Sequence, residues 1–413
     1  MKVQIDSEAL SEQLLKLASF SDATVPAVSR VVFSAADNRA RKYLKGLLSD
    51  AGLDIREDGV GNTFTRWMGS DPKLPAVATG SHIDAIPNAG MYDGTVGVLG
   101  GLAAIVALKS GGFQPVRSIE LVVFTAEEPT RFGIGCLGSR MMSGVLTPAA
   151  AASLRDTNGL TLEELRSEAG FTVELSQVKC LEGTYTAFVE LHIEQGPLLG
   201  KSAIPIGVVT GIAAPASLRI TLTGEGGHAG AVLMNERKDA FLAAAEIALG
   251  VEEVARNSGS ADSVATTGVC EVFPGAVNSI PSRVKLEIDI RDTNLIRRDE
   301  MLTSIQALSD RAASVRGVTI QKELVNADDP AATSPTVVEA IEDACEALEI
   351  GHCRMVSRAY HDSLFMARVA PTGMIFIPSK DGISHRPDEF SSAKDIATGA
   401  LVLAHTLVRL SSA

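Results

Sequence analysis

Cysteine is scarce and unpaired in this sequence, basic residues are outnumbered, and no long apolar run occurs. The five cysteines, Cys136, Cys180, Cys270, Cys345 and Cys353, are odd in number, widely spaced and free of any Cys-x-x-Cys pair. That spacing argues against a disulfide framework or a thiolate zinc site and reads as reduced, mostly buried thiols. No stretch approaches the roughly 20 apolar residues of a membrane span. The N-terminal MKVQIDSEALSEQLLKLASF has no apolar core of signal-peptide type, so a cytosolic protein is expected. With 37 Lys and Arg against 50 Asp and Glu, the formal net charge is -13. Such a balance works against nucleic acid or an anionic membrane surface as partner. Internal repeats and low-complexity linkers are absent as well.

What is present is enough chain for two cores. At 413 residues, with 46% apolar and 21% charged, two domains are the default. Residues Asp37 to Ala51 place Ala40, Tyr43, Leu44, Leu47 and Leu48 on one helical face, with Asp37 as candidate cap and Gly52 as stop. Apolar runs at Leu74–Ala78, Ile119–Thr125 and Phe188–Ile193 suit strands buried on both faces. Between the first two, Gly97–Leu108 reads as an apolar core helix. A Thr-x-x-Glu capping box at Thr161 and Glu164 opens a surface helix to Ala169. From about Gly211 the order becomes β-α-β-β-α-β, that of a ferredoxin-like split unit: strands Leu218–Thr223, Val264–Phe273, Val284–Ile290 and Val318–Leu324, with helices Asp239–Ala255 and Arg298–Ala313. Helix Thr336–Leu348, strand Gly373–Ile377 and helix Ala393–Leu410 then resume the first domain. The expected fold class is α/β, a mixed central sheet flanked by helices over 1–210 and 326–413, with an inserted ferredoxin-like α+β domain over 211–325.

Five short segments carry metal-type ligands: GSHIDAIPNAGMYDG, FTAEEPTRF, ELHIEQG, GGHAG and GISHRPDE. They hold His82, Asp84, Asp93, Glu127, Glu128, His192, His228 and His385. Singly, each is ordinary: a His-x-Asp pair on a surface, a Glu-Glu solvated edge, a core histidine. Together, three of them close predicted strands, where open α/β sheets place their ligand crevices, and most lie beside glycine. Their co-occurrence reads as a two-metal hydrolase. The motif GIGCLG, Gly133 to Gly138, matches Gly-x-Gly-x-x-Gly, with Asp156 at a suitable distance for a ribose contact. The stretch EEPTR separates it from its strand, however, whereas a dinucleotide loop leaves the strand directly.

The strings GSHIDAIPNAGMYDGTVGVLG, EEPTRFGIGCLGSR, GIAAPASL, GGHAGAVLM, SRAYHDSLFMAR and GMIFIPSKDGISHRPDEFSS span nearly the whole chain. In them the sequence resembles the hydantoinase/carbamoylase-type amidohydrolases of the aminoacylase and dinuclear zinc peptidase superfamily, and within these the plant ureidoglycolate amidohydrolases most. The resemblance implies a zinc-peptidase-like catalytic domain and an inserted lid and dimerisation domain, in a homodimer. It also implies two divalent ions, Zn2+ or Mn2+ with Co2+ or Ni2+ as further options, one held by His82, Asp93 and His192 and one by Asp93, Glu128 and His385. By the same resemblance Glu127 is the proton shuttle, Asp84 the carboxylate that orients His82, and His228 the donor to the tetrahedral oxyanion. Gln195, Asn278, Arg291 and His361 are implied at the substrate. Arg291 has a second reading as a surface arginine paired with Asp289 or Asp292. The implied reaction is hydrolysis of a linear ureido acid. Allantoate and N-carbamoyl-L-amino acids are the alternatives, and a dipeptidase or aminoacylase stands further off.

Overall fold

The computed structural model describes residues 3–412. The described residues form two compact units, one of residues 3–210, 333–357 and 361–412, the other of residues 211–332 with 358–360. Among the described residues, seventeen strands follow in chain order: β1 Val28–Arg30, β2 Asp54–Glu57, β3 Thr63–Trp67, β4 Ala76–His82, β5 Ala85–Ala89, β6 Ile119–Phe124, β7 Tyr185–Ile193, β8 Ile206–Ile212, β9 Ala214–Thr223, β10 Gly227–His228, β11 Val264–Phe273, β12 Ser279–Ile280, β13 Arg283–Asp292, β14 Thr319–Ala327, β15 Ala331–Ala332, β16 His352–Ser357 and β17 Thr372–Ile377. The division expected at residue 325 falls inside β14, whose last residues to Ala327 continue the ladder with β9.

The first unit is built on a mixed sheet of order β8-β17-β7-β4-β6-β3-β2, with β16 beside β8. Strands β6, β4, β7 and β17 run parallel, so their carboxyl ends open on the same side. Both faces are buried, as the continuous apolar runs require. Val77, Leu121, Val189 and Leu191 pack with the apolar helix Thr95–Ser110 and the closing helix Ala393–Ser411, whereas Ala78, Val122, Phe124 and Phe188 join a second cluster with Leu137, Met141 and Leu165. Period-two alternation along each strand makes this division.

Two local readings are corrected. The helix expected from Asp37 runs Ala35–Asp50, and its cap is Ser34, whose side chain accepts the Asp37 amide. Asp37 turns inward instead, accepting the Phe33 amide and pairing with Arg41 at 2.9 Å. The strand expected at Leu74–Ala78 starts at Ala76 and continues to His82, because Ser81 and His82 keep their pairing with Val123 and Phe124. His82 is therefore the last residue of the strand rather than part of the loop beyond it. Behind this end lies Arg30, fully buried, whose guanidinium donates to the carbonyls of Leu17, Phe20 and Ile83.

Taken by itself, the second unit is an antiparallel sheet of order β11-β13-β9-β14. Helices Ala240–Arg256 and Leu295–Arg316 cover its apolar residues Leu218, Ile220, Leu222, Val284, Leu286 and Ile288. This is the split β-α-β order, with Asp239 capping the first helix and Asn294 the second. A two-stranded ribbon, β10 with β12, stands apart from that sheet.

Candidate metal centre

In the first unit, side chains distant in sequence meet beside the carboxyl ends of β4 and β7. His82 Nε2 lies 3.5 Å from Asp93 Oδ1 and 3.6 Å from Glu127 Oε2. His192 Nε2 is 3.2 Å from the same Asp93 oxygen. Asp93 Oδ2 faces His385 Nε2 at 3.1 Å, and that nitrogen is 3.4 Å from Glu128 Oε1. These ligand atoms fall into two groups that share Asp93, His82–Asp93–His192 and Asp93–Glu128–His385, and a third group, Glu190–His192–His361, shares His192.

The backbone sets which nitrogen each histidine presents. His82 Nδ1 is 3.1 Å from the carbonyl of Asp84, and His192 Nδ1 is 2.9 Å from the carbonyl of Ile193. A carbonyl only accepts, so Nδ1 of each ring carries a proton and Nε2 is the nitrogen turned toward Asp93, that of His192 also lying 3.2 Å from the Gly94 amide. The expected carboxylate of Asp84 stands 3.7 Å from His82 Nδ1, too far for a hydrogen bond. Its oxygens accept the amides of Glu127 at 3.2 Å and Glu128 at 3.0 Å. Asp84 therefore orients the imidazole through its main chain and the two glutamates through its side chain.

The pair Glu127–Glu128 is also held from the other side. The amides of Cys136, Leu137 and Gly138 donate to the carbonyls of Glu127, Ala126 and Thr125. Between these ties Ala126 adopts a left-handed backbone, φ 53°, a conformation a side-chain-bearing residue keeps only when its surroundings enforce it. Gly94 has φ 66°, and a Cβ there would lie 2.4 Å from His82 Nε2, so only glycine fits beside that nitrogen.

Burial alone would drive the His82 imidazole toward its neutral form, but the charges of Glu127, Asp84 and Asp93 together raise its pKa well above the ordinary value. For Asp93, burial pushes upward, and hydrogen bonds with His192 and His385, with the His82 imidazole close by, outweigh it, holding the carboxyl well below its usual range. Burial, with Glu128, Asp362 and Asp93 nearby, raises Glu127 well above the ordinary carboxyl value. Burial and Asp93 likewise bring Glu128 up to about 7. The hydrogen bond to Asp93 lifts His385 to about 9. So much negative charge gathered in a buried place is what a cation would relieve. His82 Nε2 is itself buried with no hydrogen-bond partner among the described residues. Imidazole and carboxylate together form a donor set for a divalent metal, and these residues fit one.

Of the residues expected at the substrate, Gln195 donates its amide to Asp93 Oδ2 at 2.7 Å from a left-handed backbone, φ 56°. His361 is buried, its ring 4.4 Å from that of His192 and its Nε2 3.1 Å from Ser357 Oγ, so it braces a ligand imidazole. In the second unit, His228 and Asn278 are neighbours on the ribbon, where the Ala229 amide donates to the Asn278 carbonyl. His228 Nδ1 accepts the Gly230 amide, which leaves Nε2–H as the donor. Arg291 is the next-to-last residue of β13, its fork shared by Asp289 Oδ2 and the ring of Tyr360, the pairing with Asp289 being the second reading allowed for it.

Two participants escaped the sequence reading. Glu389 accepts the amides of Tyr92 and Asp93. The Cys136 thiol lies 3.5 Å from Glu127 Oε1 as donor. The only sequence signal for Glu389 is its place four residues past His385. Cys136 carried none beyond its isolation from other cysteines.

The model of peptidase family M20/M25/M40 matches residues 78–409. The ureidoglycolate hydrolase of Oryza sativa subsp. japonica is 51% identical over 414 residues, covering 98% of this chain and 85% of that protein. The N-carbamoyl-L-amino acid amidohydrolase of Geobacillus stearothermophilus is 38% identical, covering 98% of this chain and 99% of its own. Crystal structures of AtUAH in complex with glyoxylate and with (S)-hydroxyglycine superpose with a TM-score of 0.91 at 50% identity, over 99% of this chain and 98% of theirs. With its ligand groups arranged on this sheet and the match running from β4 into the closing helix, the chain belongs to peptidase family M20/M25/M40.

Proposed function

We propose that this protein is a metal-dependent amidohydrolase that cleaves the linear C–N bond of a small ureido acid, ureidoglycolate first. The observation that carries the substrate is the 51% identity, over 98% of this chain, to a ureidoglycolate hydrolase. The chemistry of the AtUAH ligands agrees: ureidoglycolate that takes up one water and loses its ureido carbonyl as CO2 with one ammonia leaves hydroxyglycine, and loss of a second ammonia leaves glyoxylate.

His82, Asp93 and His192 would hold one divalent ion, and Asp93, Glu128 and His385 a second, as Zn2+ or Mn2+, with Co2+ and Ni2+ suited to the same donors. Such ions, when bound, acidify water and polarise an attacked carbonyl. The chain's own part is to position and to move protons. Glu127, buried but not enlisted in either ligand group, accepts the proton of the attacking water and delivers it to the leaving nitrogen. Asp84 keeps Glu127 in reach by its amide. His228 supplies an Nε2–H donor for the oxyanion, and Gln195, Asn278, His361 and the planar fork of Arg291 receive the substrate's polar groups and carboxylate. The working protein is taken as a cytosolic homodimer assembled through the second unit; among the described residues no helix is long and apolar enough to cross a membrane.

Ammonia release by the metal-loaded protein, compared across ureidoglycolate, allantoate, N-carbamoyl-L-amino acids, dipeptides and N-acyl amino acids, tests this reading. Ureidoglycolate is expected to give the highest kcat/KM. A higher value for an N-carbamoyl amino acid or a dipeptide would replace the substrate while leaving the site intact.

A further inference from the structure

The loop that carries His385 reaches the rest of the centre through a residue that is not itself in either ligand group. Glu389 is 4% exposed. Its Oε1 accepts the amides of Tyr92 at 2.9 Å and Asp93 at 3.1 Å, and its Oε2 accepts the Ser384 hydroxyl at 2.7 Å. The same Ser384 Oγ lies 3.3 Å from Asp93 Oδ2. One short segment, residues 384–389, therefore supplies a ligand imidazole and also grips the backbone of the ligand carboxylate opposite it. Space for the grip comes from Gly90, where a Cβ would stand 2.3 Å from Glu389 Cβ and 2.4 Å from its Oε1.

The two ligand groups differ in what else secures them. His82 and His192 sit on paired strands and are fully buried or nearly so. His385 lies on a loop, has a left-handed backbone of φ 58° and leaves 48% of its side chain exposed. We propose that Glu389 is a positioning residue that fixes the Asp93 turn against the His385 loop, and so governs occupancy of the Asp93–Glu128–His385 group with little effect on the His82–Asp93–His192 group. This inference rests on the two-ion reading given above.

Residues that orient metal ligands typically contribute about 10–100-fold in metal affinity, and that is the loss expected here, confined to the weaker of two ions. The experiment titrates chelator-treated full-length protein with Zn2+ and with Mn2+ and reads stoichiometry and both affinities by calorimetry and elemental analysis, without any assay of turnover. Glu389→Met keeps length but removes both acceptors. Glu389→Gln retains an oxygen for the two amides and a group that can face Ser384. Gly90→Ala displaces Glu389 sterically without altering it. Supporting results are two ions in the wild type, one retained and one weakened in Glu389→Met and in Gly90→Ala, and near-wild-type binding in Glu389→Gln. If Glu389→Met does not fold, the titration of Gly90→Ala decides by itself. Two ions at wild-type affinity in the variants, or equal weakening of both, would overturn the inference. A wild type that binds fewer than two ions would instead bring down the two-ion reading beneath it.

Discussion

The Asp84 carboxylate and the main chain of Glu127 are joined by a 3.2 Å hydrogen bond, and the neighbouring amide of Glu128 completes a two-pronged hold at 3.0 Å. One oxygen serves each amide, so Asp84→Asn, which retains a single acceptor, must release one of the glutamates. Activity should fall about 10–100-fold, the usual effect of disturbing a residue behind a metal site. Turnover at the wild-type level, measured at equal metal content, would show that the carboxylate has no such part.

Glu127→Gln preserves shape and hydrogen bonding but cannot carry a proton. Loss of a positioned acid–base group costs about 10²–10⁴-fold, and that fall is expected in kcat, with metal stoichiometry unchanged because Glu127 is in neither ligand group. Loss of metal in the variant would recast Glu127 as a ligand.

Arg30 should matter for stability. Burial lowers its pKa to about 10, against the opposing pull of Asp37 and Asp84, and it still donates to three carbonyls. Arg30→Met leaves those carbonyls buried without their donor, at roughly 1–3 kcal/mol for each unsatisfied group. Denaturant unfolding of the chelated protein should show a loss of at least about 3 kcal/mol. Because one of those carbonyls belongs to Ile83, next to His82, metal affinity should weaken as well. A variant as stable as the wild type would mean that water replaces the guanidinium.

Asp58 gives a pH signature. Burial raises its carboxyl to about 6, although hydrogen bonds from Asn62 and Val60 and the charge of Arg56 pull it down. Between the ordinary value of 3.8 and 6, the folded chain holds a proton that the unfolded chain has released. This group's contribution to stability is therefore greatest in acid and is lost as pH rises through 6. Asp58→Asn does not ionise, so its stability relative to wild type should improve by on the order of 1–3 kcal/mol between pH 4 and pH 7.5. Parallel unfolding profiles for the two proteins across that range would remove Asp58 as their source.

Where the sequence was periodic, structure could be read from it. Strand Val264–Phe273 was legible to the residue, and the capping box at Thr161 and Glu164 is formed. Short pairings were not: β1 with β5 and β10 with β12 run over too few residues for any period to appear, and they exist because tertiary neighbours hold them. The ligand types, strand ends and neighbouring glycines that announced His82, Asp93, Glu128, His192 and His385 are local features. The office of Asp84 was only half visible, since nothing in a His-x-Asp string tells a side-chain oxygen from a main-chain one. Glu389 was hidden for another reason: its partners Tyr92 and Asp93 lie nearly three hundred positions away, and only folding brings them together.

Glu127 and Glu128 are gripped by amides from beyond and by a carboxylate from before, and the arc from Pro129 to Gly135 is bracketed between those grips. Within that arc Phe132 is buried beside Phe33 and Gly135 is tied to Arg140, whereas Pro129 and Gly133 are exposed. A designer wishing to reshape this side of the centre should begin at those two exposed positions, which lie between the ties that hold Glu127.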